Sequence, residues 1–215
     1  MSTRRPLSLA EKKERDRKMP LVLPGLMPGP IRWDSIFERD QPLEFEVGFG
    51  RPHFLLERAL ERPDRNVVGV DWKAEWARQT HRRARRKGLK NVLGLYGNAW
   101  FMAGSLFQPE SLTTVFLNFP DPWWKAKHEK RRVINDAFAG LLTSRLKVGG
   151  QFQIQTDVAS LLEEELEHLE ARADLRNIHG KGRLAAHKPT RARTHREKKC
   201  VLKGIPVFRA VLERC

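Results

Sequence analysis

Between residues 43 and 172 the chain alternates short apolar runs with longer stretches of helical periodicity, and few architectures accept such a string. LEFEVGF (43–49) is a β-type run, and HFLLERALER (53–62) has the apolar spacing of a helix. NVVGVD (66–71) reads as a buried strand ending in an acid, and WKAEWARQTHRRARRKG (72–88) as a helix closed by Gly88. Strands follow over 91–96 and 113–119, then a helix over 132–147, a strand over 151–156, an acidic amphipathic helix over 157–172 and a terminal strand over 205–213. Alternation at this pitch predicts an α/β fold, a parallel sheet with helices on both faces. Ligands in such sheets bind beyond the carboxyl ends of the strands. The residues that follow each strand are therefore the candidates for chemistry.

After the first strand comes Glu46-Val-Gly48-Phe-Gly50-Arg-Pro52. Glycines there let the backbone approach a ligand and aim amides at it. The second strand ends in Asp71, 21 residues past Gly50, close to the ~20 expected for an acid that grips a ribose diol. Asn98, after the third strand, offers an amide to an adenine edge. The third glycine of a dinucleotide fingerprint is absent, and Pro52 removes a donor that a pyrophosphate would use. Glu46 would repel phosphates but accept from an ammonium group. A ligand built of nucleoside, amine and carboxylate describes S-adenosylmethionine better than NAD.

Charge sharpens the partner. The chain has 41 Lys and Arg against 26 Asp and Glu, a net +15 with pI near 10.4. Four stretches, 1–18, 71–90, 123–132 and 176–199, hold 29 of the basic residues and only 7 of the acidic ones. Basic segments set into an acidic body predict a continuous basic face for nucleic acid rather than a mixed solvated surface. Residues 1–30 read as a basic arm and a Pro/Gly-rich segment, and 31–215 as one domain, with a cofactor half over about 43–100 and an RNA half over about 112–215. No apolar signal segment opens the chain, and Cys200 and Cys215 lack ligand spacing. A cytoplasmic protein with free thiols, no metal and no membrane span is expected, as monomer or homodimer. Seven scattered histidines show no metal spacing, and Trp72 and Trp76, read as i and i+4 on a helix, are expected in the core.

The fourth strand leads into Asn118-Phe-Pro120-Asp121-Pro122-Trp123-Trp124-Lys125-Ala-Lys127-His128-Glu-Lys130-Arg131-Arg132. Two prolines hold one carboxylate at the strand end, and tandem tryptophans beside five basic residues combine stacking surface with phosphate neutralisation. This stretch resembles the signature of the tRNA (guanine-N7-)-methyltransferase family. The same order of motifs runs from about Glu44 to Leu212: E-x-G-x-G at 46–50, G-V-D at 69–71, N…G-N-A at 91–99, T-D at 156–157 and T-x-x-E at Thr194–Glu197.

The resemblance implies a Rossmann-like class I methyltransferase fold, with a mostly parallel seven-stranded sheet and an antiparallel strand near the C-terminus. It implies that Glu46, Gly48, Gly50, Asp71, Asn98 and Asp121 contact S-adenosylmethionine. Lys125, Asp157, Thr194 and Glu197 would form the guanosine pocket, with Lys127, Lys130, Arg131 and Arg132 on the tRNA backbone. The implied reaction is methylation of guanosine N7 in tRNA, in the variable loop, with Asp121 catalytic. Two other readings stay open here: an RNA-binding protein on the same fold whose cofactor turn is impaired by Pro52, or a methyltransferase for a different RNA.

Overall fold

The computed structural model describes residues 30–121 and 135–215. Apart from Pro30, the arm over 1–30 lies outside them. So do the residues from Pro122 to Ile134, including Lys125, Lys127, Lys130, Arg131 and Arg132.

Seven strands form one sheet: β1 (Leu43–Val47), β2 (Asn66–Asp71), β3 (Val92–Tyr96), β4 (Leu112–Asn118), β5 (Leu146–Thr156), β6 (Leu175–Asn177) and β7 (Phe208–Arg214). Their order is β3-β2-β1-β4-β5-β7-β6. The pairs β2–β3, β1–β2, β1–β4 and β4–β5 are parallel, whereas β7 runs antiparallel to β5 and β6. The chain winds outwards from β1 to β3 and then returns to β4, so the order reverses between β1 and β4. That reversal opens a crevice at the carboxyl ends of these two strands.

Among the described residues, six α-helices cover the faces: α1 (His53–Glu61), α2 (Ala74–Lys87), α3 (Ala99–Leu106), α4 (Asp136–Arg145), α5 (Ala159–Glu170) and α6 (His195–Leu202). Strand pleating sends alternate residues to opposite faces. Phe45, Val47, Val68 and Val70 pack with Met102, Phe138, Leu142 and Leu162 of α3, α4 and α5. Val67 and Val92 face the other way, against Leu55 and Leu56 of α1 and Ala77 and Ala84 of α2. α1 sits so close to the sheet that a Cβ on Gly69 would fall 2.6 Å from Leu55 Cδ1. On this same face Arg58 lies buried, with Nε and Nη2 each 2.7 Å from a carboxylate oxygen of Glu44.

Several elements depart from expectation. Trp72 is not helical, because α2 begins at Ala74; it is 73% exposed rather than in the core, while Trp76 is partly buried against Leu55 and its neighbours. α3 was not expected, since AWFMAGSL is apolar all round and carries no stripe. α6 lay hidden in a charged run, and β6 has only three residues. β5 starts earlier than expected, with its pairing to β4 broken by an irregularity between Leu112 and Thr114.

Candidate active site

The turn after β1 depends on glycine. Gly48 and Gly50 take φ of +66° and +54°, and added Cβ atoms would meet nothing, so backbone conformation alone requires glycine there. Gly48 N donates to Val70 O at 2.8 Å, and Gly50 N to Asp71 Oδ2 at 2.9 Å. Lys73 N donates to Asp71 Oδ1 at 2.8 Å. One carboxylate thus holds the turns that follow β1 and β2. Burial raises the Asp71 pKa, against the two amides that stabilise its charge. Each carboxylate oxygen has further lone-pair capacity for a ribose hydroxyl. Pro52 is the N-cap of α1, and its carbonyl accepts from Leu56 N at 3.3 Å.

Glu46 is buried at the end of β1. Its Oε1 accepts from Asn118 Nδ2 at 2.7 Å, and Oε2 has no partner. Burial pushes its pKa up to about 8, with the Asp71 charge adding to the rise and Asn118 opposing it. A buried carboxylate with one orphan oxygen is suited to a ligand that brings a cation or a donor.

Asn98 is exposed and caps α3, with Oδ1 accepting from Phe101 N at 3.2 Å. Its carbonyl is spent on the helix. Trp72, exposed directly after Asp71, sits under the Lys73 ammonium, 5.7 Å from the ring centroid. Sequence periodicity misplaced this aromatic.

Beyond β4 the chain turns at Phe119, whose φ of +52° is rare for a bulky L-residue. Its amide donates to Gln155 O at 2.7 Å. Strain of this kind persists only where surroundings over-determine it, and it concentrates at functional sites. Asp121 follows, exposed, beyond the carboxyl end of β4.

The substrate-side candidates gather around α6. Thr194 caps the helix, its Oγ1 accepting from Glu197 N at 3.0 Å, so T-x-x-E is also a helix start. Glu197 is 1% exposed, with Lys188 Nζ at 2.5 Å and Arg209 Nη2 at 3.0 Å. Each of its oxygens is thus engaged by a cation. Asp157, after β5, is more accessible and pairs with Arg196, Nε at 3.1 Å. Lys188 and Arg209 carried no motif; only their spacing from Glu197 in the fold reveals them.

The basic segment over 176–199 is partly neutralised internally. Glu61 accepts from Thr190 Oγ1 at 2.5 Å and Arg191 N at 2.8 Å, while Glu57 accepts from Arg193 N at 2.8 Å and pairs with Lys198. The acidic edge of α1 therefore holds this segment beside the sheet. His53 and His195, first residues of α1 and α6, stack with centroids 5.2 Å apart, and Arg51 Nη1 lies 2.7 Å from His195 Nε2. Among the described residues no group of three or more His, Cys, Asp or Glu is placed to hold a metal, and no helix is long and apolar enough to cross a membrane.

A family model described as a putative methyltransferase matches residues 40–210. A tRNA (guanine-N(7)-)-methyltransferase of Myxococcus xanthus is 38% identical over 183 residues, 85% of this chain and 88% of the relative. The chain belongs to the tRNA (guanine-N7-)-methyltransferase family. A second member, from Anaeromyxobacter dehalogenans, is 36% identical over 82% of this chain and 88% of its own length. The fold is shared more widely. The crystal structure of the 16S rRNA methyltransferase KamB superposes with a TM-score of 0.62 at 13% identity, covering 92% of this chain and all of that one. The glycine turn, Asp71 and the orphan Glu46 oxygen lie together at the carboxyl ends of β1 and β2.

Proposed function

We propose that this chain methylates guanosine N7 in tRNA, within the variable loop, using S-adenosylmethionine. The observation that carries the reading is the convergence, at the β1–β4 reversal, of the Gly48–Gly50 turn, the paired Asp71, buried Glu46 and Asp121 in a member of this family. The cofactor supplies an electrophilic methyl group on a sulfonium. Guanine N7 already has an available lone pair, so the chain need not remove a proton from it before transfer, and its work is positioning and electrostatics.

Glu46 and Asp71 take the cationic and ribose ends of the cofactor. Asp121 stands between cofactor and guanosine and favours the positive charge that develops on the purine. Asp157 accepts from the guanine N1–H and 2-amino edge once Arg196 yields, which separates guanine from adenine. Glu197, committed to Lys188 and Arg209, steadies that wall from behind and, with Thr194, fixes the start of α6. Lys125, Lys127, Lys130, Arg131 and Arg132, outside the described residues, carry the guanosine and tRNA backbone contacts. Pro52 gives no support to the binding-only alternative, because it caps α1 and leaves both glycine φ angles intact.

The test is incubation of the protein with unmodified tRNA and methyl-labelled S-adenosylmethionine, followed by mapping of the labelled base. Label at guanosine N7 of the variable loop is expected. Label on another base, or tRNA binding without transfer, would overturn the assignment.

A further inference from the structure

Four polar side chains lie in one row on the α1 face, each from a neighbouring strand: Glu46 of β1, Asn118 of β4, Gln155 of β5 and Arg209 of β7. The strand register makes the row, since Asn118 is opposite Gln155 and Gln155 opposite Arg209. The contacts are continuous. Arg209 Nε donates to Gln155 Oε1 at 3.3 Å, Gln155 Nε2 to Asn118 Oδ1 at 2.8 Å, and Asn118 Nδ2 to Glu46 Oε1 at 2.7 Å. The other arm of Arg209, Nη2, reaches Glu197 Oε1 at 3.0 Å. A cavity of about 20 Å³, room for roughly one water, flanks the row beside Asn118, Gln155 and Arg209.

The direction of this chain is not free. Arginine only donates and keeps its proton, so Gln155 must present its carbonyl to Arg209 and its amide to Asn118. Asn118 must then present its carbonyl to Gln155 and its amide to Glu46. Glu46 Oε1 is thereby an obligate acceptor. Any proton on Glu46 resides on Oε2, the buried oxygen with no partner.

We propose that Arg209 and Gln155 are positioning residues for the cofactor site: acting through Asn118, they fix Oε1 of Glu46 as acceptor and leave Oε2 as the single atom that carries the proton or meets the ligand's ammonium group. When the ammonium arrives, the Oε2 proton leaves to solvent and the ammonium donates to the carboxylate. Among the described residues the charged groups around Glu46 are few. Asp71 faces it from β2, Asp121 acts on Asp71 in turn, and Glu44, two residues back on β1, is neutralised by Arg58 of α1. The raised proton affinity of Glu46 accords with this. The arrangement rests on the cofactor reading above only for its ligand; the polarity of the row is a property of the ligand-free protein.

The experiment therefore has two arms on the full chain. The first is a pH titration of the Glu46 carboxyl by infrared difference spectroscopy without ligand, with Glu46→Gln as the blank. Gln155→Met frees Asn118 to turn its carbonyl towards Glu46, so the titration midpoint should rise by about one unit. Arg209→Lys, which still only donates, should leave the midpoint in place. Asn118→Leu, which deletes the donor itself, should raise it as Gln155→Met does and serves if that variant does not fold. An unmoved midpoint in folded Gln155→Met, or in Asn118→Leu where that variant does not fold, overturns the proposal. The second arm is calorimetric binding of S-adenosylhomocysteine across pH in two buffers of different ionisation enthalpy. The wild-type protein should release a proton near neutral pH, with Gln155→Met needing higher pH for the same affinity. A shifted midpoint without any S-adenosylhomocysteine binding would retain the polarity of the row and sink its role towards the cofactor, along with the reading it rests on.

Discussion

Arg58 spans the α1–β1 contact by meeting both carboxylate oxygens of Glu44 at 2.7 Å, with neither side chain open to water. The same guanidinium reaches Glu61 Oε2 at 3.1 Å, and Glu61 in turn holds Thr190 and Arg191. Removing one member of a buried pair leaves an uncompensated charge. Arg58→Met should cost about 3–5 kcal/mol in urea unfolding. It should also loosen the segment over 188–193, read as faster amide exchange at Arg191 and Ala192 than in the wild type.

Gly69 tests the fit of α1 on β2. An added methyl would stand 2.6 Å from Leu55 Cδ1 and 2.8 Å from Phe49 Cδ1, both in the buried cluster of that face. Gly69→Ala should destabilise by about 1–3 kcal/mol through overpacking. A variant with Leu55→Ala added should recover part of that loss, whereas simple additivity would show the two side chains do not compete.

Glu46 sets a pH dependence with a definite sign. Its folded pKa near 8 lies above the ordinary 4.5, so the folded chain keeps a proton that the unfolded chain releases. The stabilisation is full below pH 4.5 and is lost as pH rises through about 8. Glu46→Gln keeps a neutral donor at that position. In ligand-free melts its stability should gain on the wild type by up to about 1.4 kcal/mol per pH unit across that window. Cofactor affinity should fall in the same variant, because an amide cannot neutralise an ammonium group.

Asp121 should separate chemistry from RNA binding. Asp121→Ala is expected to lower kcat on the order of 10²–10³-fold, the scale of one lost electrostatic contact to a developing charge. Filter-binding affinity for tRNA should stay within about twofold, since the phosphate contacts are elsewhere. An active variant would remove Asp121 from the reaction.

Replacing Lys127, Lys130, Arg131 and Arg132 together by alanine should flatten the salt dependence of tRNA affinity by roughly 3 in the log–log slope. An unchanged slope would place the RNA away from these four residues.

Much of this fold is legible in the chain because its central strands are buried on both sides. Runs such as NVVGVD have no other place to go, and Gly88 closes α2 in the left-handed conformation that favours glycine, φ +66°. α3 was illegible for the opposite reason: with apolar residues on every side it offers no period to read, and only Asn98 marks its start. At the site, Glu46, Gly48, Gly50 and Asp71 follow from position at strand ends. Gln155 and Arg209 do not. Gln155 is one of three glutamines alternating along β5 and Arg209 one of several charged residues in β7, and their alignment exists only through the register of β4, β5 and β7. Trp72 was misjudged because WKAEW has helical spacing, yet the two residues after Asp71 are needed to turn the chain, with Lys73 N tied back to its carboxylate.

The row from Glu46 to Arg209 joins the first strand of the sheet to the last. During synthesis the cofactor-side carboxylate emerges early, but the arginine that settles its orientation emerges near the end of the chain. The row is thus finished by an element synthesised after all the parallel strands. The row behind Glu46 is therefore whole only once β7 has docked on β5.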